Sequence, residues 1–473
     1  MSLFDNILHP DATLKIPRTR RFLVIVLMIF LIALIVTGYI ISEEFVGIVG
    51  VITFLAFGIV QTERFLLSMY AIRPLLDQFV GVSFLDVGPL SLNIGTILGG
   101  STIFIALFYL LMRRFSFFKY KFVLPAFLFL LVNIISIFVS RDFLAGVNDW
   151  FRICSWIIIL IWVVTVFDSE EKIDKLTKAC VFAAIISVCV ILLQRITGGG
   201  HYMYGQEIEQ RFGWFVGPNA AGLVLLGTFP FVLFRTFQLK GLKQFFYLVL
   251  IVAVAMSVFF TFFRTNWIIF IIQILVMVVL KRKQMKASLF VFVLILVVSG
   301  FLGTTQRYAV EERFDDFYYL EETNPLVHRR AGSGRYGIWQ DNIDAFAEAP
   351  LFTKMIGRGM KGSIIVSGRE AHNDFIGVLS NNGIIGLIIY LWFLYTLFNT
   401  GRQLSKTATS PYHQNIASIF WIVFISWLAR AILTGTILNP NGMWYVAAVI
   451  GITNTALVIQ NKKQGYPNKS IEA

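Results

Sequence analysis

Charged residues are scarce in this sequence. Asp, Glu, Lys and Arg make up 14% of its 473 residues, whereas a soluble domain carries about 25%. Hydrophobic residues account for 57%, and the mean hydropathy is +0.76. A chain with so little charge needs a solvent other than water, and apolar stretches of about 20 residues, the length of a membrane-spanning helix, recur along it. The sequence therefore excludes a soluble protein with one anchor and predicts a membrane domain throughout.

Cysteine is also scarce. Cys154, Cys180 and Cys189 are odd in number and lie in or beside apolar runs. Their spacing fits neither a disulfide framework nor a metal site. We expect them to be small core residues, and the sequence predicts neither a metal ion nor a cofactor.

The net charge of +13 does not indicate a nucleic-acid partner. The Lys and Arg residues cluster in short loops between apolar runs, as topology signals do, so the expected partner is the lipid bilayer. The basic clusters at 113–121, 281–286 and 461–469 are expected to be cytoplasmic. The same register places four segments outside, at 140–149, 197–219, 262–266 and 305–372.

The N-terminal third fits this register less simply. Apolar runs at 22–41, 45–61 and 91–112 number three, whereas a cytoplasmic N-terminus requires an even number before the first basic cluster. Either the stretch at 65–79 is a fourth, Pro-bent element, or two runs are miscounted. The run at 22–41 is expected to be a retained span rather than a signal peptide, because it is long and lacks a small-residue cleavage site.

The predicted fold class is therefore all-α, a polytopic transmembrane helical bundle of about 12 to 14 spans. A partly helical extracytoplasmic segment is expected between late spans. We divide the chain into N-terminal transmembrane helices at 1–304, an extracytoplasmic segment with active-site residues at 305–372, and C-terminal transmembrane helices with a cytoplasmic tail at 373–473.

Arg264 interrupts a run of mostly apolar residues at 244–280. A guanidinium at membrane depth costs about 2.5 to 3.5 kcal/mol on insertion scales, so an arginine in such a run is paired, interfacial or functional. The simpler alternative is an arginine that extends to the outer headgroups.

His372 lies at the end of the exported segment. With His328 it is one of two residues there that exchange a proton near neutral pH, and a long apolar run follows it. Asn373 and Asp374 are expected to cap the helix that begins here. Taken alone, a histidine at a helix start is more often structural than catalytic. The cations of the same segment are Arg335, Arg358, Lys361 and Arg369.

A second exported loop ends in RFGWFVGPNAAG at 211–222, where Arg211 is a cation and Asn219 is expected to begin a span. A simple loop with a helix start explains this segment equally well. Several arginines around one acid–base residue suit a phosphate-bearing substrate, because planar guanidinium groups match phosphate oxygens and stabilise a pyrophosphate leaving group. The residues that the predicted topology brings to one side are Arg211, Arg264, Arg335 and His372.

Four pieces of sequence follow one another between about residues 205 and 390: GPNAAG at 217–222, the arginine of FFRTN at 262–266, SGRYGIWQDNIDAFAEAPLF with IGRGMKG at 333–362, and EAHNDFIGVLSNNGIIGLIIYL at 370–391. In order and spacing they resemble the bacterial O-antigen ligase and polysaccharide polymerase superfamily. One departure is the pair Phe262 and Phe263, where many members carry a small or polar residue.

The resemblance implies transfer of a glycan from an undecaprenyl pyrophosphate-linked oligosaccharide to an acceptor hydroxyl, on the outer face of the bacterial cytoplasmic (inner) membrane. His372 matches the histidine that is proposed to deprotonate the acceptor, and Arg264 and Arg335 match arginines that are assigned to the pyrophosphate. The resemblance further implies a metal-independent, inverting reaction. The other candidate substrate-binding residues are Arg211, Asn219, Arg358 and Asn373.

Polymerase and ligase share this chemistry and differ in the acceptor. The acceptor is another lipid-linked repeat unit for a polymerase, and lipid A core or another hydroxyl for a ligase. The Phe- and Ile-rich composition and the large exported segment favour a polymerase of O-antigen, capsule or exopolysaccharide, with a chain-length regulator as candidate protein partner. A transporter or flippase of lipid-linked oligosaccharide is the alternative from another class, but it predicts mid-membrane charges and repeat-related halves.

Overall fold

A computed structural model describes residues 55–77, 83–87, 90–113, 116–198, 201–202, 210–211, 217–281 and 334–464. The predicted apolar runs at 22–41 and 287–304, and the first part of the run at 45–61, lie outside these residues. The described helices are α1 (Thr62–Leu76), α2 (Ile94–Met112), α3 (Val123–Val139), α4 (Phe143–Val166), α5 (Glu170–Thr197), α6 (Pro218–Gln238), α7 (Leu242–Phe260), α8 (Arg264–Lys281), α9 (Arg335–Glu348), α10 (Leu351–Ile356), α11 (Gly362–Ser367), α12 (Asp374–Thr407), α13 (Pro411–Leu433) and α14 (Pro440–Lys463).

The predicted all-α, polytopic fold class is confirmed. Eight of the described helices, α4 to α8 and α12 to α14, are long and apolar enough to cross a membrane, and this chain is a multi-pass membrane protein. The predicted total of about 12 to 14 spans includes runs outside the described residues and stays a prediction. The described strands form two antiparallel pairs, β1 (Ser83–Val87) with β2 (Leu90–Asn93) and β3 (His201–Tyr202) with β4 (Gln210–Arg211).

The ambiguous stretch at 65–79 is helical as far as Leu76, the end of α1, with Pro74 near that end, and residues 78–79 lie outside the described part of the chain. Tyr70 of this helix is buried, and its hydroxyl donates to the carbonyl of Trp444 at 3.0 Å. The hydroxyl of Tyr445 returns a hydrogen bond to the carbonyl of Tyr70 at 3.0 Å. These paired bonds attach α1 to α14, so α1 belongs to the bundle.

The centre of the bundle is built from α4, α6 and α14. In α6 and in α14, 83% of the most apolar window is buried inside the protein, whereas in α12 the fraction is 33%. Small residues on α14, among them Ala447, Ala448 and Gly451, allow close packing, and Gly451 lies directly against Val163 of α4. The outer helices turn apolar faces away from this core, as lipid-exposed helices do.

The helix ends sort into two groups at opposite ends of the bundle. At the end that we call the site end, the hydroxyl of Ser140 donates to the carbonyl of Met360 at 2.7 Å. At the opposite end, Lys463 pairs with Glu170 at 2.7 Å, and Lys281 donates to Asn415 at 2.6 Å. The described loops that were predicted to lie outside gather at the site end, whereas the basic cluster at 281–286 begins at the other. Which side of the membrane each end faces stays a prediction.

α12 is broken at Gly383, whose φ is 66° and ψ is −165°. The backbone of the α10 end packs into this break, so a Cβ on Gly383 would lie 2.4 Å from the carbonyl oxygen of Met355. Only glycine combines this left-handed backbone with so close an approach. Beside the break, the carbonyl of Ser380 accepts from the N–H of Arg358 at 2.9 Å. The short helices α9 to α11 and the turns around them form what we call the extramembrane segment, and the break attaches this segment to α12.

We expect Gly383→Ala to lower the apparent Tm of the protein in detergent. A side chain at a left-handed position costs about 1 to 3 kcal/mol, and here it also meets backbone that cannot move aside. Gly100→Ala in α2 is the matched control, because a Cβ there meets nothing within 4 Å and alanine favours helix. Equal Tm values for the Gly383 variant and the wild type would contradict the close approach.

Candidate active site

His372 is positioned by the start of α12. Its own backbone is left-handed, with φ of 49°. The next residue, Asn373, caps the helix, and its side-chain oxygen accepts from the N–H groups of Phe375 at 2.9 Å and Ile376 at 3.1 Å. The predicted cap at Asn373 is confirmed. The turn at His372 directs the chain from the extramembrane segment into the span.

Asp374 was expected to help cap the same helix, but its carboxylate instead binds the loop between α13 and α14, residues 434–439. One oxygen accepts from the N–H groups of Thr436 at 2.7 Å and Ile437 at 3.2 Å, and the other accepts from the Thr436 hydroxyl at 2.6 Å. This carboxylate is buried. Charge-assisted hydrogen bonds of this kind are strong, so they fix the loop to the start of α12.

The chain around this loop contacts both predicted active-site residues. Arg335 donates from Nη1 to the carbonyl of Leu433, the last residue of α13, at 2.6 Å. A Cβ on Gly435 of the loop would lie 3.7 Å from the carbonyl carbon of His372. Trp427 of α13 donates to the Thr436 hydroxyl at 2.9 Å and supports the loop from below. The geometry of His372 and Arg335 therefore depends on this loop.

Arg335 interacts electrostatically with His372, with Arg264 and with Arg430, and we call Arg264, Arg335 and Arg430 the arginine cluster. Arg430 of α13 is buried and donates to the side-chain oxygens of Asn266, at 2.7 Å, and Asn219. Burial lowers the pKa of Arg335, and the nearby Arg264 guanidinium lowers it further. Arg335 also acts electrostatically on Arg430. Such repulsion is a cost that a bound anion would offset.

The pKa of His372 favours the neutral imidazole, which can accept a proton, at neutral pH. Burial lowers its pKa from the ordinary value of 6.5, and the charge of Arg335 lowers it further. Glu370 and the Thr434 backbone oppose this by raising the pKa, and the net shift is downward. A neutral imidazole carries one ring nitrogen that can accept a proton.

A cavity of about 70 Å³ opens beside His372. The histidine lines it together with Asp149 of α4, Lys361 and Glu370, and the loop of residues 434–439 forms another wall. The three residues of the arginine cluster do not line it. His372 therefore lines this cavity and also interacts electrostatically with Arg335 of the arginine cluster.

Residues 246–391 match a protein-family model described as O-antigen ligase. The chain carries an O-antigen ligase domain. This domain contains Arg264, Arg335 and His372, and the predicted resemblance to the O-antigen ligase and polymerase superfamily is confirmed. A search of the curated proteins found no match. The protein is therefore a membrane enzyme of the O-antigen ligase and polymerase type.

The other predicted substrate-binding residues have different outcomes. Asn219 reaches the arginine cluster from α6 and binds Arg430, although it lies outside the matched O-antigen ligase domain. Arg358 is not brought to the site, since it donates to the carbonyl of Ala345 at 2.6 Å and does not line the cavity. The backbone of Arg211 pairs with His201 in the β3–β4 hairpin, and its side chain lies outside the described part of the chain.

Arg430 was missed by the sequence analysis, and it too lies outside the O-antigen ligase domain. Its sequence signal is the one that identified Arg264, a single arginine in an apolar run, here SWLARAIL at 426–433. Asp374 was assigned only a cap, because no sequence signal connects it to Thr436, 62 positions away.

We expect Thr436→Val to lower the Tm, because it leaves a buried carboxylate oxygen without its hydroxyl donor, a loss of about 1.5 to 3 kcal/mol for a bond to a charged group. Thr396→Val is the matched control, since the Thr396 hydroxyl donates only to the carbonyl of Phe393 in its own helix, at 2.7 Å. Equal Tm losses in both variants would show that the Asp374–Thr436 bond stabilises the protein no more than a hydroxyl-to-carbonyl bond within one helix.

Proposed function

We propose that this protein transfers a glycan from an undecaprenyl pyrophosphate donor to an acceptor hydroxyl, with its active site on the extracytoplasmic side of the bacterial inner membrane. The observation that carries the proposal is that His372, which has a lowered pKa, and Arg335, which acts on it electrostatically, lie together in an O-antigen ligase domain. A proton acceptor next to several cations suits a reaction that deprotonates one oxygen and releases a phosphate-bearing group.

In the proposed reaction, His372 takes the proton of the acceptor hydroxyl while that oxygen attacks the anomeric carbon of the donor sugar. The bond from the anomeric carbon to the pyrophosphate oxygen breaks, and the pyrophosphate leaves with the electron pair. Its charge grows in the transition state, so fixed cations stabilise that state more than the ground state. General base catalysis by a histidine contributes about 10²- to 10⁴-fold. Attack opposite to the leaving group inverts the anomeric carbon.

Metal independence follows from the same arrangement. In many phosphate-transferring enzymes a divalent ion neutralises the leaving group, whereas here the guanidinium groups of Arg264, Arg335 and Arg430 can do so. Arg430 is held by the neutral oxygens of Asn219 and Asn266, so these partners orient it without cancelling its charge. We therefore propose that the arginine cluster takes the role of a metal ion.

We propose that the acceptor is a second lipid-linked repeat unit, which makes the protein a polymerase of a surface polysaccharide. The alternative is a ligase that uses lipid A core or another acceptor, and the description of the matched family favours it. A flippase of lipid-linked oligosaccharide would not need a proton acceptor beside the pyrophosphate site, so the position of His372 argues against it.

The test uses purified protein with undecaprenyl pyrophosphate oligosaccharide as the only substrate, and products are separated by gel and weighed by mass spectrometry. The wild type should produce a ladder of longer lipid-linked glycans, and His372→Ala should lose most turnover, about 10²-fold or more. No elongation, but transfer of the glycan once lipid A core is added, would identify a ligase. Near-normal turnover in His372→Ala would reject the histidine as base.

Donor binding separates the two roles in the same experiment. His372→Ala should retain affinity for the lipid pyrophosphate, whereas Arg264→Ala and Arg335→Ala should weaken it by about tenfold or more, since each removes a charge-assisted hydrogen bond. Arg402→Ala is the matched control, because Arg402 is an exposed cation in the last part of α12, toward the opposite end of the bundle. Unchanged affinity in both cluster variants would remove the arginines from the proposal.

The pH dependence provides an independent check. The base must be neutral to act, so kcat/KM falls as pH drops through the pKa of His372, and we expect this acidic limb below pH 6.5. Because the Arg335 charge lowers that pKa, Arg335→Met should move the limb upward. Because the Glu370 charge raises it, Glu370→Gln should move the limb downward. A limb that stays in place in both variants would assign it to another group.

A further inference from the structure

The walls of the cavity beside His372 differ in chemistry from the arginine cluster. Carboxylate, ammonium, carboxamide and hydroxyl groups surround a partly apolar floor. Small-molecule sites commonly combine an apolar lining with a few polar groups that fix the orientation of the ligand. The polar side chains that line this cavity include Asp149, Ser363, Lys361, Glu370, Asn133 and Asn381.

Lys361 joins two carboxylates across this cavity. Its ammonium lies 2.7 Å from an oxygen of Asp149 and 3.3 Å from an oxygen of Glu370. Burial lowers the pKa of Lys361, but its bonds to the two carboxylates outweigh this and raise the pKa overall. Asp149 is buried at the start of α4, whereas the side chain of Glu370 is 47% exposed at the rim. The cavity therefore carries a fixed ammonium with one buried and one accessible carboxylate.

The backbone holds Lys361 in place before any ligand binds. Its φ is 66°, in the left-handed region that side chains rarely adopt. The preceding residue, Met360, donates from its N–H to the carbonyl of Ser136 at 3.1 Å. A Cβ on Gly359 would lie 2.5 Å from the backbone nitrogen of Ser140, so this segment is pressed against the end of α3. Backbone strain of this kind persists where the surrounding structure enforces it, and it clusters at functional sites.

The reaction geometry assigns the cavity to one of the two substrates. In a single displacement the acceptor oxygen and the leaving pyrophosphate lie on opposite sides of the anomeric carbon. If the arginine cluster holds the pyrophosphate, the acceptor approaches from another side of His372. The cavity is lined by His372 but not by the cluster, so it meets this requirement.

We propose that this cavity receives the hydroxyl-bearing edge of the terminal sugar of the acceptor glycan, a neutral ring, and that Lys361 and Glu370 contact that edge. This inference rests on the proposed function. The third N–H of Lys361 donates to one ring hydroxyl, and an oxygen of Glu370 accepts from its neighbour. Such a donor–acceptor pair selects two adjacent hydroxyls and turns the nucleophilic hydroxyl toward His372. Asp149 is a positioning residue, which acts on the sugar only through Lys361.

Two-substrate kinetics test the assignment, with the lipid-linked donor and the acceptor varied separately. Lys361→Met and Glu370→Gln should each raise the acceptor KM by about tenfold or more, as the loss of a hydrogen bond to a charged group does. The donor KM should stay within about twofold, since the pyrophosphate binds elsewhere. Glu370→Gln is the variant that cannot fail for reasons of folding alone, because its side chain is at the rim. An unchanged acceptor KM in both variants, or a donor KM that rises equally, overturns the inference.

Lys354→Met is the matched control for the lysine variant. Lys354 lies in α10 of the same extramembrane segment but does not line the cavity. Its acceptor KM should equal that of the wild type. A tenfold rise in this control would mean that the net charge of the segment, rather than a built site, attracts the acceptor, and would overturn the inference as well.

A binding measurement without donor separates this inference from the proposed function. The probe is the repeat-unit oligosaccharide freed of its lipid, and saturation-transfer NMR detects its contact with the wild type and with both cavity variants. If the wild type binds it, the variants do not, and no glycan is transferred to any acceptor, the proposed function fails and the sugar site stands. If transfer proceeds but the variants bind the probe as the wild type does, the sugar site fails and the proposed function stands.

Discussion

The buried carboxylate of Asp374 is the interaction on which the rest of the site depends. It joins the start of α12 to the loop between α13 and α14 through the backbone and hydroxyl of Thr436 and the backbone of Ile437. An ionised group in the interior of a membrane protein is tolerated only when its oxygens are satisfied. Because His372 precedes this aspartate by two residues, and because Gly435 of the loop lies against the backbone of His372, one carboxylate fixes the position of the candidate base from both sides.

Left-handed backbone occurs in the chain segments that carry the candidate site residues. Within the part of the chain that the structure describes, three residues other than glycine have positive φ angles, and they are Phe262, Lys361 and His372. Phe262 precedes Arg264, Lys361 lines the cavity, and His372 is the candidate base. Left-handed backbone costs about 1 to 3 kcal/mol per residue, so it persists only where surrounding contacts enforce it. Surrounding contacts thus hold three separate chain segments in strained conformations, and each segment contains or adjoins a candidate site residue.

The fold class and several site residues could be predicted because the signals for membrane spans, and for charges within them, are local in the sequence. Long apolar runs predict spans, and the scarcity of charge makes Arg264 conspicuous. Arg335 and His372 were identified by their motifs, and the structure brings them together. Arg430 gives the same signal as Arg264 and was overlooked. The paired contacts could not be predicted, because the bond of Asp374 to Thr436 and the break at Gly383 depend on how distant segments pack.

The hydrogen-bond partners of the arginines explain how several guanidinium groups are tolerated together at the end of a membrane bundle. Arg430 is held by two amide oxygens and Arg335 by a backbone carbonyl, which are neutral acceptors. Neutral acceptors satisfy the N–H groups and thereby reduce the desolvation cost, but they leave the positive charge in place. The oxygens of Asp374 accept hydrogen bonds from Thr436 and Ile437. This carboxylate therefore interacts with the charge of Arg430 electrostatically but does not form an ion pair with it. A carboxylate in direct contact would stabilise the free protein and compete with an anionic substrate. The observed arrangement instead retains the mutual repulsion of the cluster, which the proposed pyrophosphate donor would relieve.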